Sequence, residues 1–330
     1  MAGRSGWRES SRASDVKAGL GVTKLKRAAR RAFQIPAVAA AARRFAALRG
    51  HSLVLVYHRV SPREGSDPAL VPTVGPDEFV RQIQVLGEIG RIVPLAELLE
   101  DGLGVGAPRF ALTFDDDYLT HVEWVLPTLQ RLNVPGTFFI SGRTLHGVGA
   151  YWFESLERLI ADRGLGEARA LLRVPGTEPE DLALACENDP RLQRIVETEG
   201  AAPARHLGPE HIKALSRADM SVGFHTVEHA VLTRLPDADL RSALVRGRER
   251  LTQLTGRPLV LFSYPHGKAD RRTAARVREA GYVAAWTGRP GPMGPGDDRY
   301  LLRRWEPGPL GIDEFVASVS IRLNRRGRPR

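Results

Sequence analysis

From residue 51 onward, short apolar runs alternate with stretches whose apolar residues recur every three or four positions, the texture of an α/β domain. Leu53 to Tyr57 reads as a buried strand, and Asp77 to Gly87, with Phe79, Ile83 and Leu86 at helical spacing, reads as a helix. Ile92-Val93 leads into a second helix at Leu95 to Glu100. Phe110 to Phe114 is the next strand, a helix runs from about Val122 to Leu132, and the turn Asn133 to Gly136 precedes the strand Thr137 to Ile140. Between about Tyr151 and His211 the alternation gives way to charge-laced helical sequence, which reads as an insertion packed on one side of the main domain. Strand and helix then resume with Ser221 to Phe224, a helix near Asp237 to Thr255, the strand Leu259 to Ser263, a helix from Ala269 to Ala280, the strand Val283 to Trp286 and a terminal helix over Ile312 to Leu323. No internal repeat or heptad run is present.

The 330 residues carry a formal charge of +10, but its distribution alters what it implies. Residues 1–50 hold twelve Lys and Arg against Glu9 and Asp15, and residues 322–330 add five arginines, so residues 51–321 hold 31 basic and 36 acidic side chains. The expected folded domain is mildly acidic. Within the basic N-terminal arm, residues 17–49 space Leu20, Leu25, Phe33, Ile35, Val38, Phe45 and Leu48 in a loosely helical way, with Pro36 dividing the stretch in two. They suit either a peripheral contact with anionic membrane or a solvated, partly helical arm. Cys186 is the single cysteine, which rules out an intramolecular disulfide. The sequence presents neither a signal-peptide apolar core nor a run of the roughly 18 to 20 apolar residues needed to span a membrane. The expected location is cytoplasmic, or peripheral at the cytoplasmic membrane face.

The chemistry concentrates in two places. Thr113-Phe-Asp-Asp-Asp117 delivers carboxylates together at the end of a buried strand, where they repel one another unless something positive sits between them. About a hundred residues later, His225 and His229 stand four apart, a spacing that can aim two imidazoles at one ion. Acids after one strand and histidines after another suit a barrel, whose loops converge at one end. A metal-assisted hydrolase is the first hypothesis. The plainer alternatives are turn-forming or capping aspartates and exposed histidines.

At these residues the chain resembles the polysaccharide deacetylases that carry the NodB homology domain, the carbohydrate esterase family 4-like group. Thr113-Phe-Asp-Asp-Asp-Tyr118 is similar to their first motif, usually Thr-Phe-Asp-Asp-Gly, and His225-Thr-Val-Glu-His229 to their second, His-Ser/Thr-x-x-His. Phe262-Ser-Tyr-Pro-His-Gly267 resembles the third. Leu53 to Val60 and Leu302-Arg-Arg-Trp305 resemble the opening strand and closing segment of a permuted branch. Together the motifs cover residues 53–305, and the helical insertion at about 150–211 matches none of them. The resemblance implies an irregular (β/α) barrel of the glycoside hydrolase/deacetylase type over residues 51–321. It also implies removal of an N-acetyl group from an N-acetylhexosamine in a polysaccharide or glycan precursor.

Carried over residue by residue, the resemblance makes Asp116, His225 and His229 the ligands of a divalent metal, most often zinc, with cobalt or nickel also suited to these donors. Asp115 becomes the general base and His58, directly after the first strand, the general acid. A histidine satisfying backbone groups at a strand end is the alternative for His58. Ser263 stands where many relatives place an arginine that orients the base, which leaves Arg304 as the candidate for that contact or as a surface arginine. Pro265 and His266 mark a turn whose backbone N–H suits the oxyanion. Trp286 falls where relatives put an apolar wall for the acetyl methyl, while Tyr57, Trp124, Trp152 and Trp305 are sugar-stacking or core aromatics. Asp117, where relatives have Gly, either raises the pKa of Asp115 or faces solvent. The altered third motif and Asp117 also allow a catalytically impaired glycan-binding protein of the same fold. Nucleic-acid binding through the arm is a distant third reading.

Overall fold

The computed structural model describes residues 52–62, 70–100, 106–201, 205–294 and 296–324. The arm expected over residues 1–50, and most of the basic tail, lie outside them. The principal sheet is parallel throughout. Its strands β1 (Ser52–Tyr57), β5 (Arg109–Asp115), β6 (Thr137–Ile140), β7 (Ser221–Phe224), β8 (Leu261–Ser263) and β9 (Ala284–Trp286) lie in that order, and β4 (Arg91–Ile92) pairs with the start of β5. Two short strands, β2 (Arg59–Val60) and β3 (Thr73–Val74), form a separate parallel pair. The seven-residue run from Arg109 to Asp115 is the longest strand because both neighbours use it: β1 pairs from Ser52↔Arg109 to Tyr57↔Phe114, and β6 joins only at Thr113↔Thr137 to Asp115↔Phe139.

The sheet curls back on itself through a segment with no regular strand of its own. Leu302 bridges Trp286 of β9 and Trp305 bridges Leu55 of β1, both in the parallel sense. Residues 302–305 therefore link the last strand to the first and complete an irregular (β/α) barrel.

Strand side chains alternate faces, and that alternation sorts the core. Leu53, Leu55, Tyr57, Phe110, Leu112, Phe114, Phe138, Ile140, Phe224 and Phe262 belong to the outer layer under the helices. Val54, Ala111, Phe139, Leu261, Ala284, Trp286 and Leu302 form a second cluster inside the barrel. Gly223 is required there, because a Cβ at that position would come within 2.5 Å of the Phe139 ring.

The outer layer is covered by α1 (Pro76–Ile89), α2 (Leu126–Leu132), α7 (Pro209–Arg217), α8 (Asp237–Val245), α9 (Arg248–Thr255), α10 (Arg271–Glu279) and α11 (Ile312–Asn324). Pro76 starts α1 without losing a hydrogen bond, and Phe79, Ile83 and Leu86 form its buried stripe, as their spacing predicts. The stretch expected as one helix from Asp237 to Thr255 is two, divided where Gly247 takes a left-handed φ of 86°. Leu95–Leu99 is a 3₁₀ turn, and a π turn at His121–Val125 precedes α2.

The insertion consists of α3 (Trp152–Arg163), α4 (Leu165–Leu172), α5 (Pro179–Asn188) and α6 (Pro190–Glu199), which enclose a core of their own around Leu156, Leu159, Leu182, Cys186 and Val196. Its last helix ends at Glu199, and the next, α7, packs Ile212 and Leu215 into the main core. Among the described residues no helix is long and apolar enough to cross a membrane.

Candidate active site

The strand rows that fill the barrel continue upward into polar residues. The row of Ala111 leads through Thr113 to Asp115, that of Phe139 to Ser141, that of Gly223 to His225, that of Leu261 to Ser263, that of Leu302 to Arg304 and that of Val54 to His58. One face of six short segments thus delivers a polar layer at the C-terminal end of the barrel.

Arg304 lies inside this layer, 2% exposed, and all three of its guanidinium nitrogens are engaged. Nη1 donates to Asp115 Oδ1 at 2.6 Å and to Thr113 Oγ1; Nη2 donates to Asp115 Oδ2 at 2.7 Å and to Ser263 Oγ at 2.7 Å. Ser263 Oγ in turn donates to Asp115 Oδ2 at 2.9 Å. Burial alone would raise the Asp115 pKa, but the Arg304 charge, aided by His225 and the Arg304 hydrogen bonds, holds it well below the usual carboxylate range. Arg304 is thus a buried partner of Asp115 rather than a surface residue. Ser263 connects to the same carboxylate where an arginine was missed.

The three consecutive aspartates point three ways because Asp116 adopts a left-handed φ of 70°, a strained conformation for a residue with a side chain. Asp116 Oδ1 faces His225 Nε2 at 3.6 Å and His229 Nε2 at 3.3 Å. The histidines are not on a helix; Thr226 and His229 are also left-handed, at φ 60° and 51°, and these turns bring the second imidazole back beside the first. The ring centroids are 4.9 Å apart.

His225 Nδ1 donates to the Ser263 carbonyl at 2.8 Å, which leaves its Nε2 as a lone pair facing Asp116. Burial lowers the His225 pKa to about 4 against the opposing charge of Asp115, and drives that of His229 well below its ordinary value with help from His266 and His225, so both imidazoles are neutral. Asp116 is pushed up to about 7 by burial, with His58 opposing and Asp115, Asp117 and Glu154 adding to the rise. Its buried Oδ1 has no hydrogen-bond partner. One carboxylate and two neutral imidazoles, with ligand atoms within 4.8 Å of one another, therefore fit a divalent cation, the species this orphaned oxygen lacks.

Asp117 does not face solvent. Its carboxylate is taken up by backbone: Oδ1 accepts from Ser141 N at 2.8 Å and Gly142 N at 3.2 Å, and Oδ2 from Arg143 N at 2.8 Å. It ties the end of β5 to the loop after β6. The Tyr151 hydroxyl extends the tie, accepting from Asp117 N and donating to Ser141 Oγ.

Opposite the aspartates, His58 Nδ1 meets Glu306 Oε1 at 2.6 Å. Burial lowers the His58 pKa, but the Glu306 charge and hydrogen bond outweigh it, with Asp116 and Asp115 adding, and the net position is about 9. Glu306 lies 248 residues away in sequence and was missed for that reason. Its only signal is its position directly after the barrel-closing segment, which puts it beside the end of β1.

A cavity of about 470 Å³ opens over these groups. It includes His58, Asp115, Asp116, His225, His229, His266, Arg304 and Glu306, and its far side is made by Trp152 and by α5 of the insertion. Trp152 lies nearly parallel to His266, with ring centroids 6.3 Å apart, and His266 Nε2 donates to the His229 carbonyl.

Trp286 does not form a wall of this cavity. It is wholly buried in the barrel interior 5.7 Å from Phe139, because its strand row points inward one layer below Arg304. Pro265 is buried at its turn, and since proline has no N–H, any backbone donor for a substrate there belongs to His266. Tyr57 and Trp305 are core, and Trp124 is exposed away from the cavity lining.

A family profile described as polysaccharide deacetylase matches residues 104–285, more than half of the chain. The Bacillus subtilis (strain 168) protein YxkH, named as a candidate polysaccharide deacetylase, is 24% identical over 99 residues, which make up 30% of this chain and 36% of YxkH. The matched segment thus spans about a third of that relative. Among solved structures, the Streptococcus pyogenes deacetylase PplD in complex with acetate aligns with TM-score 0.59 at 16% identity, covering 83% of this chain and 99% of PplD. IcaB from Ammonifex degensii aligns with TM-score 0.55 at 20% identity, covering 83% of this chain and 97% of IcaB. At these identities the likeness is one of fold.

Proposed function

The chain belongs to the polysaccharide deacetylase family, and from that premise we propose that it is a metal-dependent hydrolase that removes an N-acetyl group from an N-acetylhexosamine in a polysaccharide or glycan precursor. The observation that carries the reading is the set of groups in one cavity: Asp115 doubly clamped by Arg304 and His58 paired with Glu306, with Asp116, His225 and His229 beside them.

A divalent cation held by Asp116, His225 and His229, with zinc the best match and cobalt or nickel also suited, would polarise the acetyl carbonyl and acidify the attacking water. Asp115 accepts the water proton. Arg304 and Ser263 fix both of its oxygens, so its lone pairs point one way, and the same contacts make it a weak base that needs an acidified water. As water oxygen bonds to the carbonyl carbon and the C–N bond breaks, His58 delivers its proton to the departing nitrogen, leaving acetate and a free amine. Glu306 keeps that proton in place at neutral pH. His266 lines the cavity at the turn after β8, where its backbone N–H suits the developing oxyanion.

The rival reading, a glycan-binding protein without turnover, drew on Ser263 and Asp117. Arg304 engages the base in the one case, and Asp117 is occupied with backbone in the other, so neither departure favours it. Contact of residues 17–49 with anionic membrane remains a proposal from charge alone. The test is acetate release from N-acetylglucosamine oligomers by the wild type and by Asp115→Asn. The reading predicts release that falls at least a hundredfold in the variant; equal release by the two proteins would sink it.

A further inference from the structure

The insertion answers to none of the motifs, yet α5 builds one wall of the cavity. Glu180, Ala183, Leu184 and Glu187 all line it, and their spacing of three and four residues puts them on one helix face. Glu187 is paired with Lys268, and Arg234 donates to the Glu187 carbonyl and to Asn188, so the C-terminal end of α5 is clamped to the barrel rim. Glu180, two turns earlier, makes no side-chain hydrogen bond or ion pair among the described residues. Between them Leu184 is 58% exposed, a large apolar side chain held at the same cavity as Trp152.

The cations of the lining are already committed. Arg304 is saturated by Asp115, Ser263, Thr113 and Thr287, and His58 is held by Glu306. His225 and His229 face Asp116, His225 Nδ1 is engaged by the Ser263 carbonyl, and His266 Nε2 by the His229 carbonyl. The N-terminal end of α5 would ordinarily attract an anion, but Glu178, Glu180 and Asp181 already occupy that field, with Asp181 Oδ2 accepting from Thr177 N and Glu178 N.

We propose that this face of α5 is the specificity wall for the unit next to the sugar being deacetylated: Glu180 and Leu184 admit a neutral or amine-bearing saccharide and reject a phosphate-linked one. The inference rests on the deacetylase reading and deepens it. An ammonium group on a neighbouring hexosamine gains the uncommitted Glu180 carboxylate, and the apolar C–H face of a pyranose ring covers Leu184 and Trp152. A phosphate or diphosphate on the anomeric oxygen finds no free cation among the described lining residues and meets Glu180 instead.

The test compares acetate release, as kcat/KM, from N-acetylglucosamine tetramer, from partly de-N-acetylated tetramer and from uridine-diphosphate N-acetylglucosamine, in wild type and in Glu180→Lys. Tryptophan-fluorescence titrations of Asp115→Asn and of Asp115→Asn/Glu180→Lys with glucosamine tetramer and with N-acetylglucosamine 1-phosphate run alongside. The wall predicts that wild type disfavours the diphosphate substrate, and that Glu180→Lys shifts the ratio of diphosphate to partly de-N-acetylated substrate about tenfold toward the diphosphate. An unchanged ratio overturns it. If no substrate releases acetate, the hydrolytic reading falls, and the titrations still decide the wall: weaker glucosamine binding and tighter phosphate binding in the lysine protein support it, while equal affinities overturn it.

Discussion

Glu306→Gln isolates the charge that sets the protonation of His58 while preserving side-chain shape. The pair is short, 2.6 Å, and His58 sits at about 9 against an ordinary 6.5. Without the carboxylate, the largest remaining influence is burial, which lowers the value, so the variant histidine falls to about 6.5 or below. At pH 8 the fraction of protonated His58 would drop from about 90% to about 3%, a loss of about thirtyfold in any step that needs its proton. Below pH 6 the two proteins should agree within a few-fold. A cation near Asp116 would offset the smaller contributions of Asp116 and Asp115 to the raised value, but not that of Glu306.

The same shift is a stability term. A raised histidine pKa stabilises the fold fully below about 6.5 and ceases to do so as pH rises through about 9. At 1.36 kcal/mol per pKa unit this is on the order of 3 kcal/mol as an upper bound, because 24% of the His58 side chain is in solvent. The assay is the pH profile of kcat from acetate release between pH 5 and 10, paired with urea unfolding at pH 6 and 9.5. The basic limb should move from near pH 9 to below pH 7, and the stability gap seen at pH 6 should close at pH 9.5. A basic limb at the same pH in both proteins would refute the reasoning.

Arg304→Met should cost about 3–5 kcal/mol in urea unfolding at pH 7, because it leaves Asp115 charged, buried and without its cation. Since Asp115 has a depressed pKa, the difference between the two proteins is present above the ordinary carboxylate pKa of about 3.9 and shrinks as pH falls toward the folded value. Asp117→Ala should lower stability by roughly 3 kcal/mol or more by stranding the N–H groups of Ser141, Gly142 and Arg143, a loss to be read from the denaturant midpoint. Gly223→Ala should reduce the thermal midpoint in calorimetry, since its new methyl meets the Phe139 ring at 2.5 Å and the Leu261 carbonyl at 3.0 Å.

Much of the barrel was legible because buried parallel strands are short apolar runs. Thr137–Ile140 and Ser221–Phe224 match their expected bounds, and the rest differ by a residue or two at their ends. The Asp and His motifs were legible for the same reason that the fold needs them: each follows one of those runs. What stayed hidden depends on partners distant in sequence. The roles of Glu306 and Asp117 exist only through groups on other segments, and a carboxylate that accepts three backbone N–H bonds looks, in sequence, like any other acid. Trp286 was misplaced because a three-residue strand does not disclose which of its faces points inward. The division at Gly247 was masked by helical spacing on both sides of a single left-handed residue. The cavity wall made by α5 had no signal, since nothing in a charge-laced helix indicates which of its faces turns toward the cavity.

The central claim is that Asp116, His225 and His229 hold a divalent cation on which hydrolysis depends. Titrating zinc into chelator-treated protein while measuring acetate release from N-acetylglucosamine oligomers tests it most directly. The account predicts no release before addition and recovery that saturates at one zinc per chain, abolished in His225→Ala/His229→Ala. Full release from the metal-stripped protein, or recovery that survives the double substitution, would contradict it.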